Sequence, residues 1–259
     1  MIIPYDKILM PFLVKGVQTV FTHRQQLGAW LSLSTVHRNH DLRVSFSELL
    51  AVPVKGRYLL IRNVRRPEQF GPIGGVVRYF PTALHTILGE IKWQDEMNGS
   101  ADEPKDLRGY IRGAEFGKLL KWYNAGKQRE KNTLALAREI EEELEEIGLE
   151  GLLSDQPRIQ FEHVRDVHVG PTEVPGKNYL QYRYFGVYQL EVDNERCNQL
   201  IADLVKASET NQNLCLATKG EILAQRAKSR PEQCIGGHCG YLFDSKTTGP
   251  EPAPFGLSK

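Results

Sequence analysis

The chain has 259 residues, 41% of them hydrophobic and 25% charged, and a formal net charge of +1. These proportions fit one elaborated globular domain, or a domain with an annex, and exclude wholesale disorder, a collagen repeat and a disulfide scaffold. No apolar run approaches the roughly 18 residues of a membrane span. Residues 1–15 lack the charged-then-apolar order of a signal peptide, and the four cysteines lack framework spacing, so a cytoplasmic location and no membrane partner are expected.

Charge is unevenly distributed. Residues 1–80 hold 11 Lys/Arg against 4 Asp/Glu, whereas residues 138–150 hold one against seven. A solvated acidic helix face with a basic surface explains this, and so does a cation site beside a phosphate site. Charge alone does not choose between them.

Residues 1–44 carry no readable motif and are expected to form an annex or a dimerisation arm, the latter implying a homodimer. Leu49-Leu50-Ala51-Val52-Pro53-Val54 and Tyr58-Leu59-Leu60-Ile61 are apolar runs around Lys55-Gly56-Arg57, the pattern of a hairpin. Arg62, Arg65 and Arg66 follow, then Gln69-Phe70-Gly71-Pro72-Ile73-Gly74-Gly75-Val76-Val77-Arg78. The paired glycines permit a turn, a bulge or a close approach of backbone. Residues 81–125 are less regular, with a helix expected over residues 116–123 and a loop over 98–104.

The clearest helix spans residues 133–147 and is closed by Gly148. Leu134, Ala137, Ile140, Leu144 and Ile147 recur at spacings of three and four and define the expected packing stripe. Strands are expected over 158–169 and 179–192, with residues 169–177 as the loop between them. Helices are expected over 195–207 and 219–227, and a mobile tail over 245–259.

Glu139, Glu142, Glu143 and Glu146 fall on one strip of the helix. Like charges at these spacings repel, so solvent, basic side chains or a hard divalent cation must offset them. Cys234, His238 and Cys239, with Cys215, admit a zinc reading, although the paired Cys-x2-Cys element is missing. Buried thiols are the plainer reading. Tyr179, Tyr182, Tyr184 and Tyr188 are suited to stacking a base or to forming a half-buried strand face. No nucleic-acid-binding motif is present, so no specific nucleic-acid partner is predicted.

Glu130, seven residues, then Arg138-Glu139-Ile140-Glu141-Glu142-Glu143 resembles the core of the Nudix box. The pattern departs at its end, where Glu145 and Glu146 stand in place of glycine and an apolar residue and Gly148 comes three positions late. Its start is split, with Gly74-Gly75 in the role of the Gly-Gly loop and an insertion of about fifty residues before the helix. Lys55-Gly56-Arg57-Tyr58-Leu59-Leu60-Ile61-Arg62-Asn63, Asp106-Leu107-Arg108-Gly109, Leu119-Leu120-Lys121-Trp122-Tyr123 and Leu216-Ala217-Thr218 extend the likeness. Together the segments resemble the SMODS-associated NUDIX family, bacterial proteins found near cyclic-oligonucleotide signalling and antiphage genes.

That resemblance implies an α/β fold, a Nudix-type α/β/α sandwich with a mixed sheet. It would occupy residues 45–244, with an insertion at about 81–125. It further implies a metal-dependent hydrolase acting on a nucleoside diphosphate derivative or a signalling nucleotide. Glu139, Glu142 and Glu143 would ligate Mg²⁺ or Mn²⁺, with the Gly75 carbonyl as a further ligand, and Arg138 would orient Glu130. Arg62, Arg65, Arg66 and Arg78 are candidate phosphate contacts, Arg being suited to forked contacts. Glu162, His163, Asp166, His168 and Glu173 are candidate general bases. The alternative is a nucleotide-sensing module or effector with little turnover. The retained carboxylates favour hydrolysis, and the displaced Gly148 and split box favour sensing.

Overall fold

The computed structural model describes residues 26–64, 66–96, 100, 102–153 and 159–244. Helical residues 26–34 (α1) precede strands β1 (Asp41–Ala51), β2 (Pro53–Val54), β3 (Arg57–Asn63), β4 (Arg66–Gly71), β5 (Ile73–Val76) and β6 (Arg78–Tyr79). Helix α2 (Ile87–Glu90), strands β7 (Gln94–Asp95), β8 (Lys105–Asp106) and β9 (Arg108–Arg112), and helices α3 (Phe116–Ala125) and α4 (Asn132–Glu146) follow. Strands β10 (Phe161–Glu173) and β11 (Leu180–Leu190), helix α5 (Glu195–Ala207), strand β12 (Leu214–Thr218), helix α6 (Lys219–Leu223) and strand β13 (Cys234–Ile235) complete the fold. It is mixed α/β: most strand pairs are antiparallel, but β13 runs parallel to β4. None of the helices among the described residues is long and apolar enough to cross a membrane.

Contacts divide the chain into two units. One takes the described residues up to Phe46, Tyr79–Arg129 and Arg165–Tyr184; the other takes Ser47–Arg78, Glu130–Val164 and the chain from Phe185. Strands β1, β10 and β11 contribute to both.

In the first unit, β9 pairs antiparallel with the first half of β1, Arg43 opposite Tyr110, and β7 pairs with β9. One face of this sheet is apolar: Leu42, Val44 and Phe46 alternate with polar neighbours and pack on Phe116 and Leu119 of α3. Phe46 stacks on Tyr123 at 4.2 Å between ring centroids. Residues 81–125, expected to be less regular, thus supply three strands, two helices and core side chains to this unit.

In the second unit, Lys55 and Gly56 sit at φ 46° and 80° between β2 and β3, the positive φ pair that a two-residue hairpin turn requires. The second half of β1 pairs with β5, and α4 packs on this pair: Leu136, Ile140 and Leu144 meet Leu50 and Ile73. The packing stripe differs from the expected one. Leu134 is 58% exposed. At about 100° per residue it lies on the same side of the helix as Glu141 and Glu145, both of which are exposed. Leu136 takes its place. The helix ends in a Schellman turn, with Gly148 at φ 73° and the Leu149 N–H donating to the Leu144 carbonyl at 2.8 Å.

Two boundaries also differ from expectation. The strand beginning at Phe161 continues through the expected loop to Glu173, and α6 stops at Leu223 instead of Ala227. Helix α6 is capped at its other end: the Thr218 hydroxyl accepts from the Glu221 N–H while the Glu221 carboxylate accepts from the Thr218 N–H.

Candidate active site

Glu130, Glu139, Glu142 and Glu143 all belong to the second unit. Helix α4 lays its apolar side on β1 and β5, and the helical repeat then carries Glu139 and Glu143 toward the Gly74-Gly75 end of β5. A Cβ on Gly75 would fall 2.1 Å from the Glu139 carboxylate carbon, so the missing side chain is what gives that carboxylate its place. Gly74 has φ 140°, and its Cβ would meet the Glu48 carbonyl oxygen at 2.1 Å. Its N–H donates to Glu143 Oε2 at 3.2 Å. The two glycines therefore do different work. Gly74 lets two strands approach, and Gly75 lets a carboxylate approach.

Arg138 is the hub. Its Nε and Nη2 donate to the two oxygens of Glu130 at 3.0 Å each, a two-point fork. Nη2 also donates to the Val76 carbonyl at 3.1 Å, and Nη1 donates to Glu139 at 2.5 Å and to Glu142 at 3.2 Å. The second oxygen of Glu130 accepts the Arg78 N–H at 3.2 Å. Arg78 reaches the outer side of the group, 3.3 Å from Glu142. The side chains of Arg138, Glu130 and Glu139 are 17%, 13% and 15% exposed, against 44% for Glu142, so the group opens to solvent at Glu142.

The electrostatics follow from this crowding. Burial raises the proton affinity of Glu143, whose carboxylate is the hidden end of a partly exposed side chain; the charge of Glu139 raises it further, and the Gly74 N–H opposes both. Burial works against the charge on Arg138. The hydrogen bonds of Glu130 and the charge of Glu139 outweigh burial and hold the guanidinium proton more tightly than usual.

The structure thus brings together Glu130, Arg138, Glu139, Glu142, Glu143, Gly75 and Arg78. The three metal-ligand candidates do not close round one point, contrary to expectation. Among the described residues no three His, Cys, Asp or Glu side chains are arranged to hold a metal ion. The reason is visible in the hydrogen bonds: Arg138 and Arg78 hold Glu139 and Glu142, and Gly74 holds Glu143. The donor chemistry, all carboxylate oxygen, nevertheless suits a hard cation.

Arg62 is tied to the Pro67 carbonyl at 2.8 Å and to Asn213 at 3.3 Å. The Arg66 N–H donates to Asn63, and Arg65 lies outside the described residues. Of the base candidates, Glu162 and His163 are exposed in the same unit as the acids. In the other unit Asp166 accepts from the Tyr184 hydroxyl at 2.6 Å, and His168 Nδ1 lies 2.5 Å from the Tyr182 hydroxyl. Tyr182, Tyr184 and Tyr188 are buried. Cys215, Cys234 and Cys239 are buried thiols not gathered with His238 as a metal site. Residue 1–25 and 245–259 expectations fall outside the described residues.

Sequence reasoning did not single out Glu48, which is fully buried on β1 opposite Gly75, with its carboxylate against Gly186 of β11. Its one signal was parity: on an alternating strand Glu48 shares a face with Phe46 and Leu50.

Neither curated proteins nor solved structures yielded a match to this chain. The SMODS-associated NUDIX domain matches residues 41–243, which include both β5 and α4. With a match over most of its length, the chain belongs to the SMODS-associated NUDIX domain family.

Proposed function

We propose that this protein is a metal-dependent hydrolase of a nucleoside diphosphate derivative or signalling nucleotide, using Mg²⁺ or Mn²⁺. The observation that carries the reading is the Glu130–Arg138 fork set beside Glu139, Glu142 and Glu143 on one helix, over a glycine that leaves room for a carboxylate. Glu130, Glu139 and Glu142 pair with Arg138 and Arg78, and Glu143 adds a further carboxylate beside Glu139, so acids outnumber arginines in the group. A divalent cation balances the excess. Glu139, Glu142, Glu143 and the Gly75 carbonyl would hold it. When bound, such a cation polarises a phosphoryl oxygen and acidifies an attacking water. Glu130 fixes the plane of the guanidinium, and Arg138 in turn fixes Glu139 and Glu142. Arg78, at the solvent-facing edge, offers donors to phosphate oxygens.

A second reading, a nucleotide sensor without turnover, is favoured by one observation: Glu139 and Glu142 are already engaged by arginines, so a ligand could act by displacing them. Glu142→Gln separates the two. Titration with Mn²⁺ and turnover of a panel of nucleoside diphosphate derivatives and cyclic oligonucleotides should be compared with wild type. A hydrolase loses turnover by orders of magnitude and binds Mn²⁺ more weakly. A sensor shows no turnover in either form and loses only metal-dependent nucleotide binding. If Mn²⁺ binding, nucleotide binding and turnover are all unchanged, the acidic strip is a solvated helix face and both readings fail.

A further inference from the structure

We propose that the first unit carries a ligand site of its own, for a small organic phosphate, on the face of its sheet turned away from α3. Arg108 takes the phosphate group, and the cavity beside Tyr110 takes the rest of the molecule. The proposal does not rest on the metal-dependent reading above. Leu42, Val44 and Phe46 of β1 point toward α3, so Arg43 and Ser45 point the other way. Strand β9 sets Tyr110 opposite Arg43, Arg108 opposite Ser45 and Arg112 opposite Asp41. Directly opposed residues share a face. Gln94 of β7 in turn lies opposite Tyr110. Arg43 Nη1 donates to Gln181 of β11 at 3.0 Å. Arg183, two residues further along β11, takes the same side of that strand, and its charge is felt at Arg108. Arginines from three strands thus gather on one face, beside the small side chain of Ser45.

The arginines are not equally engaged. Arg43 grips both oxygens of Glu96, through Nε at 3.1 Å and Nη2 at 2.7 Å. Arg108 shares that same carboxylate from further away. Among the described residues its ion pair is the Nε contact to Glu96 at 3.7 Å, outside hydrogen-bond distance. Burial lowers the proton affinity of Arg108, and the charges of Arg43 and Arg183 oppose the support that Asp106 and Glu96 give it. A guanidinium partly withdrawn from water, beside like charges and short of close acceptors, offers a phosphate group a two-point fork. Two residues along β9, Tyr110 forms the wall of a cavity of about 360 Å³, lined also by Gln94, Lys92, Arg112 and Asp41. That volume falls at the small end of small-molecule sites, roughly 300–1,000 Å³. The lining combines an aromatic ring, an amide and charges of both signs, which suits a polar ring-bearing body and not a second anion. Arg108 and Tyr110 stand about 7 Å apart along the strand, a span that one phosphate ester bridges.

The test is calorimetry and thermal shift on the full chain in EDTA, with inorganic phosphate, adenosine 5′-monophosphate (AMP) and adenosine as probes. Working without metal keeps the outcome separate from the reading of the acidic helix. AMP is expected to bind more tightly than inorganic phosphate and to raise the melting temperature, and adenosine to do neither. Arg108→Gln should weaken AMP binding roughly 10–100-fold, the worth of hydrogen bonds to a charged group, with the ligand-free melting temperature unchanged or higher. Arg183→Gln should weaken it in the same direction and serves as the test if Arg108→Gln does not fold. Tyr110→Ala should weaken AMP binding and leave inorganic phosphate alone. A purely structural arginine cluster would lower the ligand-free melting temperature and leave AMP affinity unchanged, which overturns the proposal. So do absence of AMP binding, adenosine binding as tightly as AMP, or AMP binding no more tightly than phosphate. AMP binding that survives Arg108→Gln but is lost in Glu142→Gln belongs to the acidic helix and overturns it as well.

Discussion

An alanine at position 75 would put its Cβ 2.1–2.3 Å from the carbon and both oxygens of the Glu139 carboxylate, where ordinary contact begins at about 3.4 Å. The carboxylate must then retreat by roughly 1 Å. It can, because it is the end of a flexible side chain, so the cost to folding should fall at the low end of the ~1–3 kcal/mol seen when extra atoms are forced into a packed site. The retreat breaks the 2.5 Å contact with Arg138 Nη1. A misplacement of about 1 Å at a reacting centre can lower a rate ~100-fold. Gly75→Ala should therefore remain folded, bind Mn²⁺ more weakly and turn over a nucleotide substrate about 100-fold more slowly. Gly74→Ala is the counterpart. Its Cβ would meet the Glu48 carbonyl oxygen at 2.1 Å and the Leu49 Cα at 3.0 Å, both backbone, at φ 140°. Backbone cannot step aside without breaking the β1–β5 register, and the dihedral strain alone is worth about 1–3 kcal/mol. Gly74→Ala should thus lose stability first. Chemical denaturation and steady-state turnover of both variants decide the matter. Wild-type Mn²⁺ affinity and turnover in Gly75→Ala, or an undiminished denaturation midpoint in Gly74→Ala, would refute this division of labour.

Ile140→Ala should cost about 2–5 kcal/mol as a buried deletion, whereas Leu134→Ala, on the exposed side of the same helix, should stay within about 0.5 kcal/mol; equal effects in urea titrations would contradict the packing stripe. Arg138→Ala leaves the largely buried Glu130 without its fork and should cost about 3 kcal/mol, near the low end for such pairs. Arg138→Lys should recover only part of this, because an ammonium cannot make both parallel bonds. Arg78→Ala breaks a half-exposed pair and should change stability by less than about 1 kcal/mol; calorimetry should show weaker nucleotide binding with Mn²⁺ affinity retained or increased. Burial raises the Glu221 carboxyl, but hydrogen bonds from the Thr218 and Lys228 N–H groups outweigh it and hold its pKa below the usual value. Its stabilisation is therefore complete above the unfolded carboxylate pKa and is lost as pH falls through the lower folded pKa. Melting curves of Glu221→Gln should show a deficit near neutral pH that closes under acid.

Much of this site is legible where the determining contacts are local. Glu130 and Arg138, eight residues apart, meet because one ends the approach to α4 and the other sits on its second turn. Gly148 stops the helix because its φ is positive, a property tied to residue type. Lys55-Gly56 makes a hairpin for the same reason. Leu134 and Leu136 are separated by angle and not by spacing. Leu134 sits three residues before Ala137 and joins the i+3 row, but at about 100° per residue it lies about 120° from Ile140, against about 40° for Leu136. The Gly74-Gly75 pair announces a close approach without saying that one glycine faces backbone and the other a carboxylate. Glu48 was out of reach for a stronger reason. Its burial depends on Gly186, distant in sequence, whose missing side chain makes room for the carboxylate, and a single acid in an apolar strand carries no periodic signal of its own.

The repulsion expected among acids spaced three and four apart is met in the structure by guanidinium groups, and their geometry bears on how a cation would enter. The Nε/Nη2 edge of Arg138 serves Glu130 and the Val76 carbonyl, and Nη1 alone serves Glu139 and Glu142. These two sets of contacts are separable. On the proposed metal-dependent reading, a cation taking Glu139 and Glu142 would displace the Nη1 contacts and the Arg78–Glu142 pair, while the fork to Glu130 would stay to hold the guanidinium in place. Arg138 would then stay tied to Glu130, and its Nη1 would be left to donate elsewhere, to a phosphate oxygen for example. The carboxylates that look closed by arginine are on this account held ready. The guanidinium offsets their mutual repulsion and helps keep Glu139 seated over Gly75; on the proposed reading it would add a positive charge beside a phosphate group once a cation held the carboxylates.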